Sequence, residues 1–148
     1  MNKQTYTKLL SSDAGLAPLA LRLPVGIIFI AHGAQKLFGA FGGYGLEGTG
    51  QWMASIGLEP GYLMALMAGG AEFFGGLFIL LGLLTRPTAL VLAVTMLVAI
   101  VTVHVGNGLF MANNGYEFGL ALFAVSVSLM FSGSGKVAID NIIAKKLS

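Results

Sequence analysis

The chain has 148 residues, of which 56% are apolar and only 9% carry a charge. Soluble domains carry roughly 25% charged residues, so much of this chain's surface must face lipid rather than water. The net charge of +2 rests on few residues and shows no basic stripe, which argues against a nucleic-acid partner. The absence of cysteine excludes disulfides and thiol redox chemistry.

Four apolar stretches follow one another along the chain. They run from about Ala17 to Phe38, Gly61 to Leu84, Pro87 to Gly106 and Tyr116 to Phe131. The first three approach the ~20 residues that cross ~30 Å of hydrocarbon, and the fourth is shorter. The first starts late and contains Arg22, which argues against a cleaved signal peptide. The pattern predicts an all-α integral membrane protein, in which residues 1–148 form a single membrane domain built as an antiparallel bundle of four transmembrane helices.

Two further segments have the pattern of short helices at the membrane interface. The first loop, from Gly39 to Pro60, is long and glycine-rich, and within it Thr49 to Ile56 form a candidate helix with Trp52 at headgroup level. The C-terminal stretch from Lys136 spaces its apolar residues as an amphipathic helix does. By contrast, Leu84 to Pro87 is a tight turn, which predicts that the second and third spans are antiparallel neighbours.

Positive charge is divided unequally between the two ends of the predicted bundle. Seven of the eight basic residues fall on one side: Lys3, Lys8, Arg22, Arg86, Lys136, Lys145 and Lys146. Because cytoplasmic loops are enriched in Lys and Arg, both termini are predicted to be cytoplasmic and the long first loop external. Arg22 is expected to snorkel to the cytoplasmic interface, and Arg86 in the second loop to help set the orientation.

Five ionisable residues lie in the outer half of the predicted bundle, on four different spans. They are His32, Lys36, Glu72, His104 and Glu117. An ionisable side chain in hydrocarbon costs about 2.5–3.5 kcal/mol by insertion scales, so such residues mark a ligand site, a proton site or a buried polar pair. His32 and Lys36 are one helical turn apart and share a face that is predicted to point into the bundle.

Glu72 carries the clearest signal because glycines surround it. Gly69, Gly75 and Gly76 lie within one turn of it, on the face of the carboxylate, where small residues allow a neighbouring helix to approach closely. The pattern predicts a polar contact between Glu72 and another helix. For Lys36, pairing with Glu72 and snorkelling at the end of its span are equal alternatives.

The remaining candidates also have structural interpretations. Asn114 lies three residues before Glu117, which is the spacing of a capping box at the start of the fourth span. His104 is either part of the polar site or an interfacial histidine. His32 and Glu72 are either a ligand or proton site or a structural buried pair. No dedicated metal site is predicted, although His32 and His104 with the two glutamates, or as ligands of a haem, form a weaker alternative.

Several motifs together resemble the DoxX family over most of the chain, from about Leu21 to Asp140. They are Arg22-Leu23 with His32 to Gly39, Ala71 to Gly76 with Leu81 to Arg86, Met96 with His104, Gly115 to Phe118, and Gly133 to Lys136 with Ile139-Asp140. The resemblance implies a four-helix, multi-pass protein of a bacterial inner (plasma) membrane. Members of the family include the membrane subunit of an archaeal thiosulfate:quinone oxidoreductase, and others are linked to oxidative-stress complexes.

The favoured function is therefore a membrane subunit of a redox or oxidative-stress complex, which is more consistent with the sequence than a stand-alone enzyme. Such a subunit would bind a quinone at its polar site, or would lie beside a membrane or peripheral redox partner. The alternatives are a small proton-coupled transporter acting as a homo-oligomer, and a non-catalytic scaffold or assembly factor whose buried charges serve packing. Apart from quinone, no cofactor is predicted, and the expected partners are the lipid bilayer and other membrane or redox proteins.

Overall fold

The computed structural model describes residues 3–147, and these form seven α-helices and no strand. The helices are α1 (Lys3–Leu10), α2 (Ala17–Phe38), α3 (Gly45–Ser55), α4 (Gly61–Leu81), α5 (Thr85–Ala99), α6 (Glu117–Ser132) and α7 (Ile139–Leu147). Three helical stretches are long and apolar enough to cross a membrane, namely α2, α4 and the stretch that α5 begins, whereas α6 is apolar but has only 16 residues. The prediction of an all-α chain is confirmed.

Most predicted boundaries agree with the observed helices, and the differences have local causes. The first span is α2, with the predicted bounds. The second was predicted to reach Leu84 but ends at Leu81, because Gly82 takes a left-handed conformation (φ 66°) and its N–H bonds to the carbonyl of Ile79. The third begins at Thr85, two residues before Pro87, so the turn between α4 and α5 is short, as predicted.

The third span does not continue as a regular α-helix. After α5 the chain forms a π-helical turn over Ile100–His104 and then a 3-10 turn over Val105–Asn107. A π turn holds an extra residue, so the side chains that follow it are rotated relative to α-helical register. His104 is the last residue of this turn, and its direction therefore could not be read from helical periodicity.

The core joins the four long helices. Phe29 of α2, Ile79 of α4, Leu92 of α5 and Leu129 of α6 are each 1% exposed and belong to one cluster of buried apolar side chains. The opposite faces of these helices are also apolar but exposed, as along α5 and the π turn that follows it, where six side chains point outward: Leu90, Val91, Val94, Leu97, Val98 and Val101. An exposed apolar surface of this extent requires a lipid environment.

The short helices pack at the two ends of the long ones. α3 is longer than predicted and packs on the start of α4, where Gly50 faces the backbone of Tyr62. α1, which was not predicted, packs against α7. We call the end that holds α1, α7 and the turn between α4 and α5 the terminal end, and the end that holds α3 the loop end.

Candidate functional site

Glycines allow α2 and α4 to pack with their backbones almost in contact. A Cβ atom added at Gly33 of α2 would lie 2.6 Å from the Cα of Phe73, and one added at Gly76 of α4 would lie 2.7 Å from the backbone nitrogen of Ile30. Residues further along α2 thus meet residues earlier in α4, so the two helices are antiparallel. The predicted role of Gly69 and Gly76 in close helix approach is confirmed, whereas Gly75 faces Leu92 of α5.

An ion pair joins the two helices next to this contact. The Nζ atom of Lys36 lies 2.6 Å from Oε2 of Glu72, and the two side chains are 25% and 5% exposed, respectively. The predicted polar contact between Glu72 and a neighbouring helix is therefore present. A carboxylate this buried needs its partner, because an unpaired charge in an apolar interior costs several kcal/mol.

His32 and several aromatic side chains lie close to the ion-paired residues along α2 and α4. The ring of His32, one turn before Lys36, lies 5.9 Å from the ring of Phe118 on α6, at a tilt of 43°. Phe38, two residues after Lys36, and Phe73, next to Glu72 in the chain, meet edge to face with their centroids 5.2 Å apart. The His32 ring is partly exposed and forms no hydrogen bond within residues 3–147, so it retains both a donor and an acceptor.

His104 and Glu117 belong to a second group, in the segment between α5 and α6. Nδ1 of His104 lies 2.9 Å from the carbonyl oxygen of Asn114, to which Asn107 Nδ2 also donates at 3.2 Å. Oε1 of Glu117 accepts a hydrogen bond of 2.6 Å from the backbone N–H of Met111. Both side chains thus fix the loop, and no described hydrogen bond or ion pair connects them to Lys36 or Glu72.

One expectation about this segment is wrong. The capping box between Asn114 and Glu117 is not formed, because Tyr116 is the N-cap of α6 and Asn114 lies outside the helix in a left-handed conformation (φ 59°). The weaker alternative of a metal site has no support, since no three His, Asp or Glu side chains within residues 3–147 are grouped to bind a metal ion.

The prediction that Arg22 snorkels to the interface is wrong, because the residue is only 2% exposed. Its guanidinium donates hydrogen bonds to the carbonyls of Ile79 and Leu80 at the end of α4, at 2.8 and 3.0 Å, and to those of Ser134 and Val137 beyond α6, at 2.6 and 2.9 Å. The last carbonyls of a helix have no partner within it. Arg22 therefore completes the end of α4 and ties the C-terminal segment to it.

Asp140 is a structural residue that the sequence reasoning did not single out. It is 1% exposed, and its carboxylate accepts hydrogen bonds from the backbone N–H groups of Leu84 and Thr85, at 2.7 and 2.9 Å. It thereby caps the start of α5 from another helix. The available signal was its position one turn before Ala144, on the buried side of α7 rather than among the exposed lysines.

Arg86 has a comparable role at the end of α6. It donates hydrogen bonds to the carbonyls of Met130 and Phe131, and a longer one, at 3.4 Å, to that of Ser11. The terminal end is thus held together by buried polar side chains that bond to backbone groups. The ion pair of Lys36 and Glu72, which joins two side chains, differs from these in kind.

These features define a class of protein: a small helical membrane protein, with apolar side chains over its outer surface and with its charges paired inside or gathered at its ends. Comparison with known proteins identifies the family. The DoxX family model matches residues 17–105, and the chain belongs to this family. The resemblance found in the sequence motifs is confirmed.

Two relatives match nearly the full length. The Bacillus subtilis (strain 168) protein CatD, named provisionally as an oxidoreductase, is 37% identical over 130 residues, which cover 88% of this chain and 89% of CatD. The inner membrane protein YqjF of Escherichia coli (strain K12) is 35% identical over 140 residues, which cover 90% of this chain and 95% of YqjF. No solved structure matches the chain significantly.

Proposed function

We propose that α2, α4, the stretch beginning with α5, and α6 cross a bacterial inner membrane as an antiparallel four-helix bundle in one domain. The shared core of the four helices and the short turn between α4 and α5 support this arrangement. The 16 residues of α6 span about 24 Å at ~1.5 Å per residue, so the bilayer must thin locally around it. The relative YqjF is named as an inner membrane protein, which supports the location.

Within this bundle, we propose that the chain is the membrane subunit of a quinone-linked redox complex. The observation that carries the proposal is the ion pair of Lys36 and Glu72, which joins two helices beside His32, a histidine that has no hydrogen bond among the described residues 3–147. A purely structural contact between α2 and α4 does not require charge, because the glycines already bring the helices together. The relative CatD carries a name that points to redox chemistry.

The residues around the pair match what a quinone headgroup requires. A quinone has two carbonyls that accept hydrogen bonds, and Lys36 and His32 supply donors one turn apart on α2. Phe118 and Phe73 provide apolar walls for the ring. Reduction of a quinone to a quinol takes up two electrons and two protons. In this proposal a reduced partner protein supplies the electrons, and His32 and Glu72 pass the protons.

The test is to purify the full chain in mild detergent from its native membrane and to measure extracted quinone per protein. We expect quinone to co-purify with the natural chain and to be lost from the Glu72→Gln variant by about tenfold, equivalent to roughly 1.4 kcal/mol, because the substitution removes the charge-assisted hydrogen bond that positions Lys36 for the quinone. Glu59→Gln is the matched control, because Glu59 is an exposed acid at the loop end.

The alternatives predict different results. Absence of quinone from the natural chain, or equal quinone content in both variants, would contradict the proposal. If proteoliposomes instead showed substrate-dependent pH changes that Glu72→Gln abolished, the chain would be a proton-coupled transporter. If Glu72→Gln changed only the stability of the protein, the ion pair would have a structural role, as expected for a non-catalytic scaffold or assembly factor.

A further inference from the structure

An open cavity at the terminal end has no part in the proposed redox site. Its volume is about 620 Å³, and it is lined by Thr5, Lys8 and Leu9 of α1 and by Arg86 of α5. It is a shallow, open depression rather than an enclosed cleft. The four lining residues comprise two cations, one hydroxyl and one apolar side chain, and none of them is acidic.

The Arg86 side chain is held rigidly but keeps binding capacity. Within residues 3–147, all its hydrogen bonds go to neutral backbone carbonyls, those of Met130, Phe131 and Ser11, and it forms no ion pair with a carboxylate. Its Nε atom is buried and has no hydrogen-bond partner within residues 3–147. A ligand in the cavity cannot reach this buried atom, so the binding capacity of Arg86 lies in its charge and in Nη2, whose hydrogen bond to Ser11 is long at 3.4 Å.

The terminal end, which holds the cavity, carries more cations than acids by sequence. Besides Lys8 and Arg86, the terminal end exposes Lys136, Lys145 and Lys146. Only two acidic residues belong to this end by sequence, Asp13 and Asp140. Asp140 is 1% exposed and its carboxylate is bonded to the start of α5, so it contributes little to attracting a ligand. The cavity therefore favours an anion.

The position of the cavity indicates which anion. It lies where α5 begins and α6 ends, at the edge of the apolar surface that faces lipid, which is the depth of phospholipid headgroups. Leu9 offers an apolar wall for the glycerol and upper acyl chain, while the cations suit a phosphate oxygen. We propose that this cavity binds the phosphodiester headgroup of an anionic phospholipid, with Lys8 and Arg86 on the phosphate and Thr5 as a further donor.

The test uses the delipidated full chain in detergent, titrated with dioleoylphosphatidylglycerol or dioleoylphosphatidylcholine and followed by native mass spectrometry. We expect the natural chain to bind the anionic lipid first, and Lys8→Ala to weaken this binding about fivefold. Lys146→Ala is the matched control, since Lys146 is an exposed lysine at the same end that does not line the cavity. Arg86 is left unchanged because it completes the end of α6.

Three results would overturn the proposal. Equal losses in Lys8→Ala and Lys146→Ala would show diffuse attraction to surface charge, and equal binding of the two lipids would show that the anionic headgroup is not recognised. Displacement of the lipid by inorganic phosphate at equal concentration would show a site for free anions. The lipid titration does not involve quinone, so its failure would leave the proposed redox function untouched.

Discussion

The side chain of Arg22 donates hydrogen bonds to the backbone carbonyls of two chain segments at once. Its planar fork reaches carbonyls of α4 on one side and of the segment after α6 on the other. A lysine at this position would carry the same charge, but its single ammonium group cannot span acceptors on two segments. The geometry of the guanidinium, rather than its charge, is therefore what this position requires.

We expect Arg22→Lys to lower the free energy of unfolding by about 3 kcal/mol, because at least two buried carbonyls would lose their donor. Thermal unfolding in detergent, followed by circular dichroism, measures the change. Lys136→Ala, which removes an exposed cation from the same end, should remain within about 0.5 kcal/mol of the natural chain. If Arg22→Lys were as stable as the natural chain, charge alone would explain the residue.

The pairing of Lys36 with Glu72 can be measured as a coupling energy. Either Lys36→Met or Glu72→Gln leaves one uncompensated group in an apolar site, and each is expected to destabilise the protein by about 3 kcal/mol. The double variant should lose much less than the sum of the two single losses, because both charged groups are then gone. The same thermal unfolding measurement is made on the natural chain, the two single variants and the double variant. Strictly additive losses of stability would contradict a direct interaction between Lys36 and Glu72.

At the scale of the helices, the sequence predicts the features that follow from local composition, such as the bounds of an apolar helix. It does not predict the features that depend on contacts with neighbouring segments. The bounds of α2 follow from an apolar run that ends at a glycine, and the contact of Lys36 with Glu72 follows from a carboxylate among glycines. The π turn before His104 leaves no trace in hydropathy. For that reason His104 and Glu117, predicted to join the buried site, instead fix the loop before α6.

The glycines of α4 differ in what surrounds them, and this gives a matched pair of substitutions. Gly76 lies against the backbone of α2, whereas Gly70 has open space where a Cβ would be added. We expect Gly76→Ala to destabilise the protein by about 1–3 kcal/mol through forced separation of the helices. Gly70→Ala should be neutral or stabilising by up to about 1 kcal/mol, because alanine favours helix. Similar effects at both positions, measured by thermal unfolding, would contradict the close packing of α2 and α4.

At the scale of the whole molecule, charge is segregated along the helix axes. By sequence, the terminal end holds seven basic and two acidic residues, which gives +5, and the loop end holds one basic and four acidic residues, which gives −3; together they make the net charge of +2. The single cation of the loop end, Lys36, is bound to Glu72. Basic residues near the ends of membrane helices are retained in the cytoplasm, so the asymmetry predicts that both termini lie inside.

This orientation can be tested directly, because the natural chain has no cysteine to interfere with labelling. Glu47→Cys places a thiol at an exposed position of α3, at the loop end. Lys146→Cys places one at an exposed position of α7, at the terminal end. In intact spheroplasts, a membrane-impermeant maleimide should label Glu47→Cys, and it should label Lys146→Cys only after the membrane is permeabilised. The unsubstituted chain gives the background. Labelling of Lys146→Cys alone in intact spheroplasts would show the opposite orientation. Labelling of both variants there would place both ends outside, and would contradict an odd number of membrane crossings between residues 47 and 146.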